Sequence, residues 1–448
     1  MKNTKKIIFS FLLIGSFCSC SLFDTGTSSR KNYYGGLSSS GTTCPSDATQ
    51  SSDGSSCVCT DNTKYYNTTQ NACLTNPCTG LQWPFDGVCT NCPAGSAINT
   101  NNTTCNCSVG FFDSTSNTCA NVYIAGTDQD APVYWKNDKN TKINLPLPSG
   151  SGTSGNIATS IFLPDNNNIY VSGYYNLSGI TKGAYWTNGS RSDLGSVFFS
   201  PTITTSGGGY IYVAGTVANG TSPNHKGTYW LAGTSQTLNT APLTANSYAS
   251  AVALDTNETL YLAGAVNADT TPVYWYGNGT AQQSLSLPTG TTGIVKVSSM
   301  YINGTDIYVA GYSGNGYLES GIVSGAKAFY WKNTNSRTDI STANSIILSI
   351  FVKDADVYVS GAYKNGTKVQ AAYWKNNVKT DLNCLSTAFD SSVATGIFVK
   401  GSDVFVSGTC NDNNIDYTVA VYWKNGTLFT LSNNTSNGYS EARSIYVK

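Results

Sequence analysis

One unit is written seven times along residues 121–448, and this repetition constrains the fold more than any other feature of the sequence. Its first part is an alternating segment closed by glycine: VYIAG (122–126), IYVSG (169–173), IYVAG (211–215), LYLAG (260–264), IYVAG (307–311), VYVSG (357–361) and VFVSG (404–408). Its second part is a Tyr-Trp pair: Tyr134-Trp135, Tyr185-Trp186, Tyr229-Trp230, Tyr274-Trp275, Tyr330-Trp331, Tyr373-Trp374 and Tyr422-Trp423. The closing glycines recur every 42–50 residues, a period typical of propellers and other repeat folds. A third segment precedes each glycine strand, as in SIFVKDADVYVSG (349–361) and GIFVKGSDVFVSG (396–408). A weaker fourth follows the Tyr-Trp pair, as at Thr380-Asp381-Leu382. Four short antiparallel strands per repeat make a propeller blade. Alternation places Val357 and Val359 on one face and Tyr358 on the other, and stacked blades cover both.

The ends of the repeat array are out of phase. The first repeat opens on its second strand at Val122, while Ala442-Arg443-Ser444-Ile445-Tyr446-Val447 matches a first strand and then stops. The C-terminal strand is therefore expected to complete the first blade as its innermost strand, which removes an edge open to pairing with other chains. The expected fold is all-β: a seven-bladed β-propeller, its ring closed by the C-terminal strand, preceded by a small disulfide-rich region. A solenoid is the alternative, but it would carry capping repeats and would not need the offset.

Composition narrows the chemistry. Lys+Arg and Asp+Glu balance at 25 each, and beyond the N-terminus no basic cluster exists to neutralise phosphates, so no nucleic-acid partner is expected. The chain holds 1 His and 2 Met, too few for a His-based metal site, and neither metal nor cofactor is expected. It is read as a monomer.

The N-terminus reads as an export signal. Met1–Lys6 carries three Lys, and residues 7–17 are almost wholly apolar, too short to span a bilayer. The following Phe17-Cys18-Ser19-Cys20 resembles a relaxed bacterial lipobox. That resemblance implies cleavage before Cys20, lipidation of Cys20 and anchoring at an outer membrane or cell surface, with plain secretion as the alternative. The expected segments are a signal peptide over 1–19, a flexible tether over 20–43, cysteine-rich modules over 44–120 and the propeller over 121–448.

Ten of the fourteen Cys fall within 44–119, where one spacing occurs twice: Cys44-x12-Cys57-x-Cys59-x13-Cys73 and Cys92-x12-Cys105-x-Cys107-x11-Cys119. Cys78 and Cys89 lie between the two stretches. An even count in an exported, loop-rich segment reads as a disulfide framework whose connectivity stays open. Zinc is the competing reading, through Cys89-x2-Cys92, but no His lies nearby. Cys384 and Cys410 on neighbouring repeats are expected to form a further disulfide. The Cys105–Phe111 stretch resembles EGF-like and growth-factor-receptor-like cysteine-rich modules, which implies a stalk or contact module. The recurring D-[VI]-Y-V-[AS]-G … Y-W-K-N-G text resembles bacterial, often lipid-anchored, seven-bladed propeller proteins. That resemblance implies a fold and carries little about function.

Most repeated residues read as structure. Asn188-Gly189, Asn278-Gly279 and Asn425-Gly426 signal tight hairpin turns, and the Tyr-Trp pairs read chiefly as core between blades. The informative loops are those between second and third strands, which share one face with the connections between blades and are long and different in every repeat. Long irregular loops on a rigid scaffold are where binding resides. The candidate residues there are Tyr174, Tyr175, His225, Tyr248, Tyr312, Tyr317, Glu319, Tyr363, Phe389, Asp412, Tyr417 and Tyr439. No catalytic residue is assigned. The leading expectation is a surface-anchored, non-enzymatic module that binds a protein or glycan through these loops. The alternatives are a scaffold subunit of an envelope assembly and a propeller hydrolase or lyase. The last would need clustered carboxylates such as Glu319 and Asp412.

Overall fold

A computed structural model describes residues 44–448 apart from 51–56, 62–63, 68–71, 76–81, 86–87, 95, 99–104, 114–115, 198, 219–224, 239–245, 288–293, 315–324, 385–390, 413–416 and 433–438. The expected signal peptide and tether, with Cys20, lie outside the described residues. Two compact units make up the chain: the larger takes in Tyr123–Phe398 and Phe405–Tyr446, and the smaller holds the cysteine-rich region.

The cysteine-rich region consists of two-stranded hairpins, among them Ala48–Gln50 with Cys57–Cys59 and Ser96–Ile98 with Cys105–Cys107. Its duplicated spacing becomes a duplicated pairing. Cys44–Cys57 and Cys59–Cys73 repeat as Cys92–Cys105 and Cys107–Cys119. Each bridge closes a loop of 12–14 residues, worth on the order of 3 kcal/mol in the chain-entropy account. So small a region buries too little apolar surface to do without them. Cys78 lies outside the described residues, and of Cys89 only the backbone, in the strand Val88–Asn91, is described.

The larger unit is an all-β propeller of antiparallel sheets, each named below by its tryptophan. In the Trp135 sheet, Ser440–Val447 pairs with Val122–Asp128, so the last strand of the chain completes the first sheet as the phase offset required. Four-stranded sheets follow around Trp186, Trp230, Trp275 and Trp331. The expectation of seven separate blades is corrected here. Five separate four-stranded sheets are present, and the strands around Trp374 and Trp423 form one eight-stranded sheet. The physical reason is a single parallel pair, Val369 with Ser391, which joins the third strand of one repeat to the first strand of the next.

The repeated text now has a physical account. The seven Trp side chains of the repeats are buried between sheets. Several donate their indole N–H to the preceding repeat, Trp186 to Pro146 O at 3.0 Å and Trp423 to Asn383 O at 2.8 Å. The Asp, Tyr and Lys of D-x-Y … Y-W-K meet as one cluster. Lys375 pairs with Asp356 at 3.1 Å and lies 5.4 Å from the centre of the Tyr358 ring, and Lys332, Asp306 and Tyr308 repeat the arrangement. Asn188-Gly189 and Asn425-Gly426 hold φ values of 49° and 83°, and of 49° and 80°, as a tight hairpin turn requires.

The closing glycine is a packing requirement. A Cβ on Gly361 or Gly264 would overlap the carbonyl oxygen of Ile346 or Tyr248 on the neighbouring innermost strand. Just beyond that contact the innermost strand bulges, between Ile347 and Ser349 and between Ala249 and Ala251. The bulged residue turns toward the next sheet. Ser298 Oγ donates to Ile347 O at 2.7 Å, and Thr395 Oγ1 donates to Ala442 O at 2.7 Å. Ile161 N in turn donates to Ser444 Oγ at 3.3 Å. The C-terminal strand thus bonds to the strands on both sides of it, which closes the ring. Tyr301, Phe351, Phe398, Tyr446 and Phe162 continue the same seam, with successive ring centres 4.8–5.5 Å apart.

Candidate functional site

The loops between second and third strands emerge on one face of the propeller, together with the start of each innermost strand. Two clusters of titratable side chains form there. The first is built on the Trp135 sheet. Gln129 and Asp130 turn the chain through left-handed φ values of 51° and 61°, and Gln129 N donates to Tyr439 O at 2.9 Å. Asp128, just before the turn, is buried and accepts from Lys142 at 2.6 Å and from Ser440 Oγ. On the C-terminal strand the buried Glu441 carboxylate is ion-paired with the equally buried Arg443 guanidinium. Tyr174 and Tyr439 border this pair, both half-buried. Burial pushes the Tyr439 phenol well above its ordinary value, and the Glu441 charge pushes it the same way. Asp130 is partly exposed. Burial raises its carboxyl above the usual carboxylate range, a Gly155 backbone bond opposes the shift, and the Glu441 charge adds to it.

The second cluster spans three sheets. His225 opens the third strand of the Trp230 sheet, Tyr248 opens the Trp275 sheet, Asp269 sits in that sheet's second-to-third loop, and Lys296 lies near the start of the Trp331 sheet. The Tyr248 hydroxyl is 3.3 Å from His225 Nδ1, and Lys296 Nζ is 5.6 Å from the centre of the Tyr248 ring. Lys296 is ion-paired with Asp269. Burial raises Tyr248 to about 12, with Asp269 adding to the shift and Asn246 opposing it. Burial also lowers His225, against the pull of Asp269. Asp269 is raised by burial despite Lys296 and His225.

Of the residues singled out in the sequence, His225 with Tyr248 and Tyr174 with Tyr439 are brought together. Tyr175 and Tyr363 are buried within their own sheets, where their hydroxyls donate to Asp193 at 3.0 Å and Asp381 at 2.9 Å. Lys379 lies 3.9 Å from the centre of the Tyr363 ring, so this tyrosine braces its sheet. Tyr312 is buried opposite Lys296 and Ala328. Asp412 and Tyr417 pair through their backbones at the mouth of a hairpin. Tyr317, Glu319 and Phe389 lie outside the described residues.

Sequence reasoning missed Asp128, Asp130, Glu441, Arg443, Asp269 and Lys296. A signal existed for two of them. Glu441, Lys296 and Tyr248 occupy one position of the repeat, three residues before Ser444, Ser299 and Ala251, where other repeats place Ile157, Ile346 and Val393. A charge in a slot that is otherwise apolar marks a local function or a local partner. Among the described residues, no group of three His, Cys, Asp or Glu could hold a metal ion.

No family model matches the sequence, and no curated protein matches it either. Solved structures do. A GH43 endo-arabinanase from Bacillus licheniformis is similar at 15% identity and a TM-score of 0.31, over 59% of this chain and 93% of that one. An α-L-arabinofuranosidase, CtGH43, from Clostridium thermocellum is similar at 13% identity and a TM-score of 0.28, over 48% and 89%. The arabinanase Arb43A of Bacillus subtilis is similar at 10% identity and a TM-score of 0.31, over 59% and 92%. These neighbours are glycoside hydrolases, and the expectation of a non-enzymatic adhesion module is withdrawn. At such TM-scores the likeness carries no argument, and an activity has to be argued from this chain's own side chains.

Proposed function

We propose that the propeller is a glycan-cleaving hydrolase with Asp130 as its general acid. The observation that carries this reading is the paired environment of Asp130. Burial raises its carboxyl above the usual aspartate range, and the charge of Glu441, itself paired with Arg443, adds to the shift. Glycoside hydrolysis needs such a split, one carboxyl kept protonated to give its proton to the leaving oxygen and others kept charged nearby. Glu441 is too buried to touch a substrate, and its part is to hold the proton on Asp130. Asp128, two residues back, is buried and ion-paired with Lys142 and supplies a second carboxylate beside the same turn. The test is release of reducing ends from arabinan and a panel of other neutral polysaccharides by the full chain. Asp130→Asn should lower the rate by about 100-fold or more. Silence across the panel, or full activity in the variant, removes the reading.

The finer organisation is part of the same proposal. Seven tryptophan repeats and the single Val369–Ser391 link support counting the eight-stranded sheet as two blades of a seven-unit ring. The segments 1–19, 20–43, 44–120 and 121–448 are read as signal, tether, EGF-like stalk and propeller. Extracellular placement is supported by the disulfides, and lipid anchoring through Cys20 by the lipobox-like text. Metabolic labelling with an alkynyl fatty acid tests the anchor, since Cys20→Ala should lose the label.

A further inference from the structure

The second cluster is not used by the hydrolase reading, and its chemistry differs from that of the first. It offers an imidazole, a phenol and an ammonium held by three different sheets. Each is pinned by backbone bonds and not left on a free loop. His225 N donates to Asn246 Oδ1 at 3.2 Å, and Ser247 N donates to His225 O at 3.1 Å, which ties the third strand of the Trp230 sheet to the segment entering Tyr248. Ala268 N donates to Asn246 O at 3.1 Å and Val295 N donates to Asp269 O at 2.7 Å, which ties the Asp269 loop to both sides. Reacting groups fixed by regular elements hold their geometry better than groups on loops.

We propose that His225 and Tyr248 form a second reaction centre, one that cleaves uronate-containing glycans by β-elimination with Lys296 receiving the uronate carboxylate. The step balances within the cluster. The His225 imidazole takes the proton from the sugar carbon next to the carboxylate. The electron pair of that C–H bond becomes the new C=C bond, and the adjacent C–O bond to the next sugar breaks. The departing oxygen takes the phenolic proton of Tyr248. An imidazolium then stands 3.3 Å from a phenolate, and one proton passing from His225 to Tyr248 restores both groups without an outside donor. Burial readies each partner: it favours the neutral imidazole that can accept a proton and keeps the phenol protonated until the leaving oxygen demands it. Lys296, held by Asp269 and lying over the Tyr248 ring, sets a cation beside the phenol for the carboxylate of the reacting sugar. Both His225 and Tyr248 are partly exposed.

The experiment incubates the full chain with polygalacturonate, alginate and hyaluronan in turn. It records reducing ends together with the ultraviolet absorbance of the conjugated unsaturated uronate. The expected result is both signals on at least one polymer, with absorbance lowered about 100-fold or more in Tyr248→Phe and in His225→Gln. The rate should rise with pH as His225 loses its proton, which a structural role for the pair would not produce. Tyr248→Phe keeps the ring and its packing, so it decides the matter should His225→Gln fail to fold. Reducing ends without the absorbance overturn this proposal and leave the hydrolase reading standing. Neither signal on any of the three polymers overturns it, as does an unchanged rate in Tyr248→Phe.

Discussion

Tyr248 and His225 come from neighbouring sheets and meet hydroxyl to Nδ1 at 3.3 Å, with their ring centres 5.7 Å apart. They stand twenty-three positions apart in the chain. The contact exists because the third strand of one sheet and the first strand of the next begin on the same face of the propeller.

His225 is the only histidine, so a single imidazole signal reports this cluster in NMR. Burial lowers it while Asp269 raises it, and burial prevails. The midpoint should lie below 6.5, and Asp269→Asn should lower it further. Because the folded value is the lower one, the unfolded chain binds the proton first as pH falls. The neutral imidazole's contribution to stability is therefore complete above about 6.5 and shrinks as pH drops through the folded midpoint. A midpoint above 6.5 would contradict the burial argument.

The alkaline side of any Asp130-dependent activity carries the opposite sign. A general acid works only while protonated, so the rate should fall as pH rises through the elevated Asp130 value. Removing the Glu441 charge by Glu441→Gln should move that fall to lower pH, since the charge raises Asp130. A pH–rate profile measured on both proteins checks it; an unmoved limb would disconnect the two carboxyls.

Glu441→Ala leaves a buried guanidinium without its anion. Breaking a buried pair from one side costs roughly 3–5 kcal/mol, whereas replacing both partners by leucine should recover most of the loss. Urea unfolding of the single and double variants measures the difference.

The closing glycine can be separated from glycines at large. Gly361→Ala drives a methyl into the Ile346 carbonyl oxygen and should cost on the order of 3 kcal/mol. Gly208→Ala meets its first neighbours at 3.6 and 3.7 Å and should cost well under about 1 kcal/mol. Equal losses in thermal or urea melts would refute the packing account.

Cys384 and Cys410 are bridged across a separation of 26 residues. Replacing both by serine should lower stability by about 3.5 kcal/mol, the chain-entropy value for a loop of that length. The loss should disappear when wild type and variant are compared under reducing conditions.

Much of this fold is legible in the sequence because its determinants are local and repeated. Tyr-Trp pairs, D-x-Y … W-K clusters and Asn-Gly turns each act within one repeat or between adjacent ones, so a pattern seen seven times names the sheet it builds. The phase offset at Ala442–Val447 likewise foretold the partner of Val122–Asp128, since an unpaired first strand must find one. Eight of the expected cysteines pair in sequence order because each hairpin carries its own two ends.

The sites are another matter. Tyr175 and Tyr363 were legible as loop-face tyrosines, yet each turns inward onto an aspartate two strands away, a choice made by cross-strand packing. Asp130 is one acid in a short turn until the C-terminal strand, more than three hundred residues later, lays Glu441 beside it. His225, Tyr248, Asp269 and Lys296 belong to three sheets, and although Tyr248 and Lys296 share one position of the repeat, nothing in the sequence brings His225 and Asp269 to them. Sequence by itself determined the repeating strand, its buried tryptophan and a cysteine-rich framework, because those interactions close over short stretches of chain. Only the tertiary structure decided which charges meet and which protons are held. Burial and Coulomb energy depend on distance through the folded ring and not along the chain.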